Sequence, residues 1–203
     1  MIDRHVHLWP HDRPVAPLSP VLIEDFLAAG RARGLAGIVF TEHLFRFRQA
    51  RSVTDALVQS HPPGELRESM REYFAYHQVC DLDEYCTALS RAKEQGWPVG
   101  IGLEVDHYVG LMPAVAELLG GYPLDLVIGS VHWLGLWRFD HLEDPISMAR
   151  WARMDLDEVY SSYCAAVEDL AASGVCDVLA HLDLVKVASY RPTEKALYEE
   201  RLA

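Results

Sequence analysis

The chain has 203 residues, half of them apolar and about a quarter charged, enough for one globular domain with a sizeable core. A net charge of −12 excludes a basic face that coats nucleic acid or an anionic membrane. It leaves a phosphorylated substrate open, provided that bound metal ions reverse the sign locally.

Strand and helix signals alternate along the chain, as in parallel α/β folds. Ile2 to His7 reads as a first strand. In a strand, His5 and His7 share a face roughly 6.5–7 Å apart, a spacing at which two imidazoles reach one ion. A Pro-rich loop from Trp9 to Pro20 leads to an amphipathic helix that opens at Pro20 and ends near Gly30 and Gly34. Leu35 to Phe40 reads as a buried strand running into Thr41-Glu42-His43. Leu44 to Gln78 is long for a connection and predicts a lid or binding loop, or local helix.

Asp81 caps a predicted helix to Gly96, and Pro98 to Leu103 forms a third strand that delivers Glu104. A helix over Met112 to Leu119 precedes the fourth strand, Leu124 to Val131, which delivers His132. That stretch, extended to Trp137, is the most apolar in the chain; it is too short for a membrane span, so no membrane partner is expected. Trp133 to Met154 reads as a second long loop. Asp155 then caps a helix closed by Gly174, and Asp177 to Ala180 forms the fifth strand, delivering His181 and Asp183. A last helix starts near Pro192-Thr193. Cys80, Cys86, Cys164 and Cys176 form no Cys-x-x-Cys pair and are expected as reduced, mostly packed thiols. With no apolar run before Asp3, no secretory leader is expected, and the reading is cytoplasmic.

Five successive strands therefore close in an imidazole or a carboxylate: His5 and His7, His43, Glu104, His132 and His181. Taken singly, each has an ordinary explanation, such as a cap, a satisfied core histidine or a carboxylate paired with arginine. Together they fall on one side of a parallel sheet, where the carboxyl ends of the strands build sites. Histidine and glutamate without cysteine suit zinc, manganese or iron, and the carboxylate is the natural bridge between two ions. Two such ions neutralise the charge that in-line phosphoester hydrolysis develops.

Asp3-Arg4-His5-Val6-His7, Thr41-Glu42-His43, Gly102-Leu103-Glu104, Gly129-Ser130-Val131-His132 and His181-Leu182-Asp183 together resemble the motifs of PHP-type phosphoesterases. Gly100 to Glu104, Gly129 to Trp133 with Trp137 and Asp140-His141, and His181 to Leu184 with Lys186 and Arg191 are similar to bacterial histidinol-phosphate phosphatases. The resemblance implies an α/β fold, a distorted seven-stranded (β/α) TIM-like barrel, with two to three divalent metal ions. It implies that His5, His7 and Glu104 hold one ion and that Glu104, His132 and His181 hold a second, Glu104 bridging. His43 would hold the third, with His11 from the first loop. Glu104, His132 and His181 would form the catalytic core. Lys186 and Arg191 would face the substrate phosphate, Trp133, Trp137 and Phe139 would wall an imidazole-sized pocket, and His107 or His141 would donate a proton to the leaving alcohol.

The sequence departs from the family in two places. Glu42 stands where aspartate is more common, and nothing after His181 supplies the family's last-strand Asp-x-His. Five strand signals against seven lead to the expectation of a single PHP-type domain over residues 1–203 that lacks its last two βα units, as a truncated chain or with a partner supplying them.

The leading functional reading is a metal-dependent phosphatase of a small phosphorylated alcohol, L-histidinol phosphate, in histidine biosynthesis. A PHP phosphoesterase acting on nucleotides or nucleic-acid ends is the second, against which the lack of a basic stripe speaks. A non-catalytic PHP scaffold is the third, favoured only by the absent Asp-x-His. An amidohydrolase also opens with His-x-His but fits the later strands less well. The sequence holds no signal for oligomeric state.

Overall fold

The computed structural model describes residues 1–11, 18–193 and 195–201, so half of the expected Pro-rich loop lies outside it. Five parallel strands form one sheet in the order β1-β2-β3-β4-β5, curled as a half-barrel. They are β1 (Ile2–Val6), β2 (Gly37–His43), β3 (Val99–Asp106), β4 (Leu126–Ser130) and β5 (Val178–Leu179). Each strand pairs with the next, and helices make the crossovers, as a parallel sheet requires. The central strands β2, β3 and β4 are buried almost throughout and read as near-continuous apolar runs. β1 and β5 lie at the edges, where Ile2 and Val178 are half exposed.

Local chemistry sets the helix limits. α1 (Pro20–Ala32) starts from Ser19, whose hydroxyl accepts the Leu22 N–H, with proline in its first turn. Asp81 caps α4 (Leu82–Glu94), and Asp155 caps α7 (Leu156–Ala172). α5 (Met112–Leu119) joins β3 to β4. Two connections carry more structure than a strand-helix alternation needs. Residues 44–78 are neither irregular nor a bare loop. They form α2 (Arg51–Gln59) and α3 (Glu65–His77), which pack on each other, with Phe74 of α3 against the Phe45 ring. The loop after β4 likewise contains α6 (Pro145–Trp151), capped by Asp144. α8 (Lys195–Arg201) ends the described chain.

The strands approach one another closely at glycines. A Cβ on Gly102 would meet the Leu126 carbonyl oxygen and the Thr41 methyl, each at 2.8 Å. These are backbone and β-branched atoms of a packed sheet and have little room to yield. Gly102→Ala is therefore expected to lower the melting temperature by about 2–10 °C, the effect of overpacking in a domain of this size. Gly121→Ala, whose added carbon meets nothing nearer than 3.7 Å, serves as the control and should leave it nearly unchanged in thermal unfolding.

Candidate metal centre

Strand register builds the centre. β2 and β3 pair so that His43 stands opposite Glu104. His5 sits in β1 and His7 just beyond it, while His132 and His181 follow β4 and β5 by two residues. All five imidazoles converge on Glu104, whose side chain is almost wholly buried. Its Oε2 lies 3.1 Å from His5 Nε2, 3.2 Å from His7 Nε2 and 3.2 Å from His43 Nδ1. Its Oε1 lies 3.0 Å from His181 Nε2 and 3.5 Å from His132 Nε2, and accepts the Ser130 hydroxyl.

The electrostatics follow from this crowding. Burial would raise the Glu104 carboxyl, but hydrogen bonds from His181, His5 and His7 outweigh it and hold the group far below the usual carboxylate range. Burial would likewise lower His7, yet the carboxylates of Glu104 and Glu42 beside it raise it to about 9. His132, buried beside Asp106, is raised to about 10 because the carboxylate outweighs its desolvation. His43 and His11 are pushed down by burial.

Cations fit this set of donors. Both ring nitrogens of His43 are buried without a hydrogen-bond partner, as are His7 Nδ1, His181 Nδ1 and Asp106 Oδ2. Five imidazoles and a hydroxyl compete for one carboxylate that offers about four lone-pair sites. Three clusters bring their ligand atoms within 4.8 Å of one another: His5–Glu104–His181, His7–His11–His43 and His43–Asp106–His132. This division differs from the ion-by-ion sharing that the resemblance implies, since His7 groups with His11 and His43.

Two carboxylates hold the ligands in place. Asp106 accepts from His132 Nδ1 at 2.6 Å, which turns Nε2 toward Glu104 and fixes the ring. Sequence reasoning missed it, although Glu104 and Asp106 share a strand face at a spacing of two, a legible signal. Glu42 accepts the backbone N–H groups of Leu8 and Trp9 at 3.1 and 3.3 Å and faces His7 Nδ1 at 3.6 Å. Buried Arg46 then ties Trp9 and Pro10 through their carbonyls, at 3.3 and 3.1 Å.

The centre opens into a cavity of about 940 Å³ whose walls include Phe45, Tyr73, His77, Trp133, Arg138 and His141. Lys186 and Arg191 do not line it. Lys186 lies over the Tyr198 ring and pairs with Asp183, and Arg191 donates to the Lys186 and Tyr190 carbonyls. The cation in the wall is instead Arg138, stacked 4.4 Å over Tyr73. Trp137 and Phe139 are packed in the core, leaving only Trp133 of the three expected aromatics at the cavity. Of the two candidate proton donors, His141 lines the cavity, whereas His107 bonds Asp169 elsewhere.

The PHP domain family model matches residues 17–202. The chain belongs to the PHP family. This PHP chain is 33% identical over 187 residues to a Deinococcus radiodurans protein described as "Probable histidinol-phosphatase", across 92% of its own length and 62% of the relative's. Its fold matches that of histidinol phosphate phosphatase from Lactococcus lactis, solved with zinc, L-histidinol and phosphate. The TM-score is 0.60 at 21% identity, covering 99% of this chain and 65% of the other. The PHP chain thus spans less than two thirds of the length of both. Among its described residues, no helix is long and apolar enough to cross a membrane.

Two outcomes test the centre. His7 and His132 hold protons in the metal-free chain, with values raised to about 9 and about 10, and zinc binds only deprotonated imidazole. Zinc uptake should therefore release protons, and its affinity should rise from about pH 6 to about pH 8. Calorimetry in buffers of different ionisation heat counts those protons; a count of zero would contradict the assignment. Asp106→Asn should weaken zinc binding roughly 10–100-fold by freeing the His132 ring, as read by competition with a chromophoric chelator.

Proposed function

We propose that this chain forms the metal-binding part of a phosphomonoesterase that converts L-histidinol phosphate to L-histidinol and phosphate in histidine biosynthesis. The observation that carries the reading is Glu104, buried and ringed by five imidazoles at the rim of an aromatic cavity. The descriptions of both relatives support it.

Two to three divalent ions, zinc, manganese or iron, would be held by His5, His7, His11, His43, Glu104, His132 and His181, with Asp106 at the edge of the set. Such ions supply Lewis-acid polarisation of a phosphoryl oxygen and a lowered pKa for water.

The chain's own groups do the rest. Arg138 only donates, so its 2.6 Å contact makes His141 Nδ1 an acceptor and places that ring's proton on Nε2. From there it hydrogen-bonds the departing alcohol oxygen. Ser69 and Asp144, at 3.1 and 3.2 Å, brace the same guanidinium. Burial lowers His77 to about 4, so it is neutral at physiological pH, and with Phe45, Tyr73 and Trp133 it makes an aromatic wall that suits an imidazole ring. Asp140 and Glu143 line the cavity too and suit the ammonium of an amino alcohol. One cation against two carboxylates in the wall suits a small zwitterionic ester better than a nucleic-acid strand.

The architecture that goes with this reading is a single PHP-type domain over residues 1–203, contributing five strands of a seven-stranded barrel in a cytoplasmic enzyme. β1 and β5 are the edges to which two further βα units would add, consistent with coverage of 65% of the solved relative.

Phosphate release from L-histidinol phosphate, a nucleoside monophosphate and an aryl phosphate, each assayed with zinc or manganese, tests the proposal. L-Histidinol phosphate should have the highest kcat/KM, and Glu104→Gln should lower it by about 10³ or more. Equal or faster turnover of the nucleotide would reject it.

A further inference from the structure

A second cleft, of about 950 Å³, lies between α5, α6, α7 and the loops that follow β3 and β4. Its size suits a small molecule, as such sites run to roughly 300–1,000 Å³. The walls are mostly apolar: Val109, Met112, Met154 and Val159, with the indoles of Trp133 and Trp137. Trp133 is the one residue that also lines the metal cavity, so its ring separates the two.

The charges in this wall are unequal. His107 Nε2 and Asp169 Oδ2 pair at 2.7 Å and satisfy each other. Arg150 has no such partner among the described residues. Its guanidinium lies 5.5 Å over the Trp137 ring, and its buried Nε makes no hydrogen bond. That Nε is closed off from the cleft, so the donors an anion there would meet are the Nη amino groups of the same guanidinium. The Trp133 and Trp137 indoles are almost wholly buried and form the cleft's floor, while Val109, Met112 and Met154 supply apolar surface beside the guanidinium.

We propose that this cleft is a binding site for a small aromatic anion, an aryl carboxylate or sulfonate, with its ring against Val109, Met112 and Met154 and its charge on Arg150. The site is distinct from the metal centre and does not depend on the activity assigned to it.

The probe is 8-anilinonaphthalene-1-sulfonate, read by its fluorescence, with the full chain saturated in zinc and inorganic phosphate so that the metal cavity is closed to anions. One saturable site is expected. Arg150→Met should weaken it about tenfold, the effect of losing one charge-assisted hydrogen bond. Val109→Trp, at a half-exposed rim position, should block it. Arg153→Met, an exposed cation three residues beyond, should leave it unchanged. Circular dichroism and melting of each variant establish that the fold is kept. Unchanged binding in both Arg150→Met and Val109→Trp overturns the proposal. So does a dimer in sedimentation that Val109→Trp dissociates, which would give the cleft to a second copy of the chain.

Discussion

A carboxylate sealed from water needs positive charge around it, and Glu104 is the constraint on which the rest of this structure depends. Without ions, protons on the surrounding rings supply that charge, which is why His7 and His132 are raised while Glu104 is driven down. Cations and protons are thus alternatives for one electrostatic requirement. The imidazoles cannot be explained as fillers of a core, because no apolar packing would aim five ring nitrogens at two oxygens.

The sheet meets this requirement through register rather than through loop design. Pairing of β2 with β3 sets His43 against Glu104, and the two-residue period of β3 puts Asp106 on the same face one step further. Close strand approach at Gly102 keeps these groups within reach of each other. The first loop needs anchoring of its own. The longer arm of Glu42, in place of the family's more common aspartate, reaches the Leu8 and Trp9 amides, and Arg46 closes the arrangement from the other side.

What was legible in the sequence was the part that obeys a period. Strands ending in histidine or glutamate announce themselves one by one, and the caps at Asp81 and Asp155 mark helix starts by side-chain chemistry. The walls of the cavity obey no period. Arg138 sits between two buried aromatics in a loop, and nothing local distinguishes it from a solvated cation. Lys186 and Arg191 look better placed because they follow a strand, yet the turn after β5 directs them to Tyr198 and to backbone carbonyls. Trp137 and Phe139 resemble pocket walls by composition and are core by packing; only long-range contacts decide between the two. Residues 44–78 hide two helices because α2 and α3 draw their stability from packing on each other, with Phe74 against Phe45, more than from strong local signals.

The division of labour between strands and long connections follows from those differences. The imidazoles around Glu104 come from the ends of strands, where backbone hydrogen bonding fixes position. Phe45, Tyr73 and His77 come from the helical stretch after β2, and Trp133, Arg138 and His141 from the loop after β4. Both connections also touch the ring around Glu104, since the Phe45 ring stacks on His43 at 4.9 Å and His132 opens the loop after β4. Trp133 is where the two meet, stacked edge-on to Phe45 and to Phe74 at 5.9 and 5.7 Å. The cavity wall is therefore built on connecting segments, the most variable kind of element, while the charge-bearing centre rests on the most constrained.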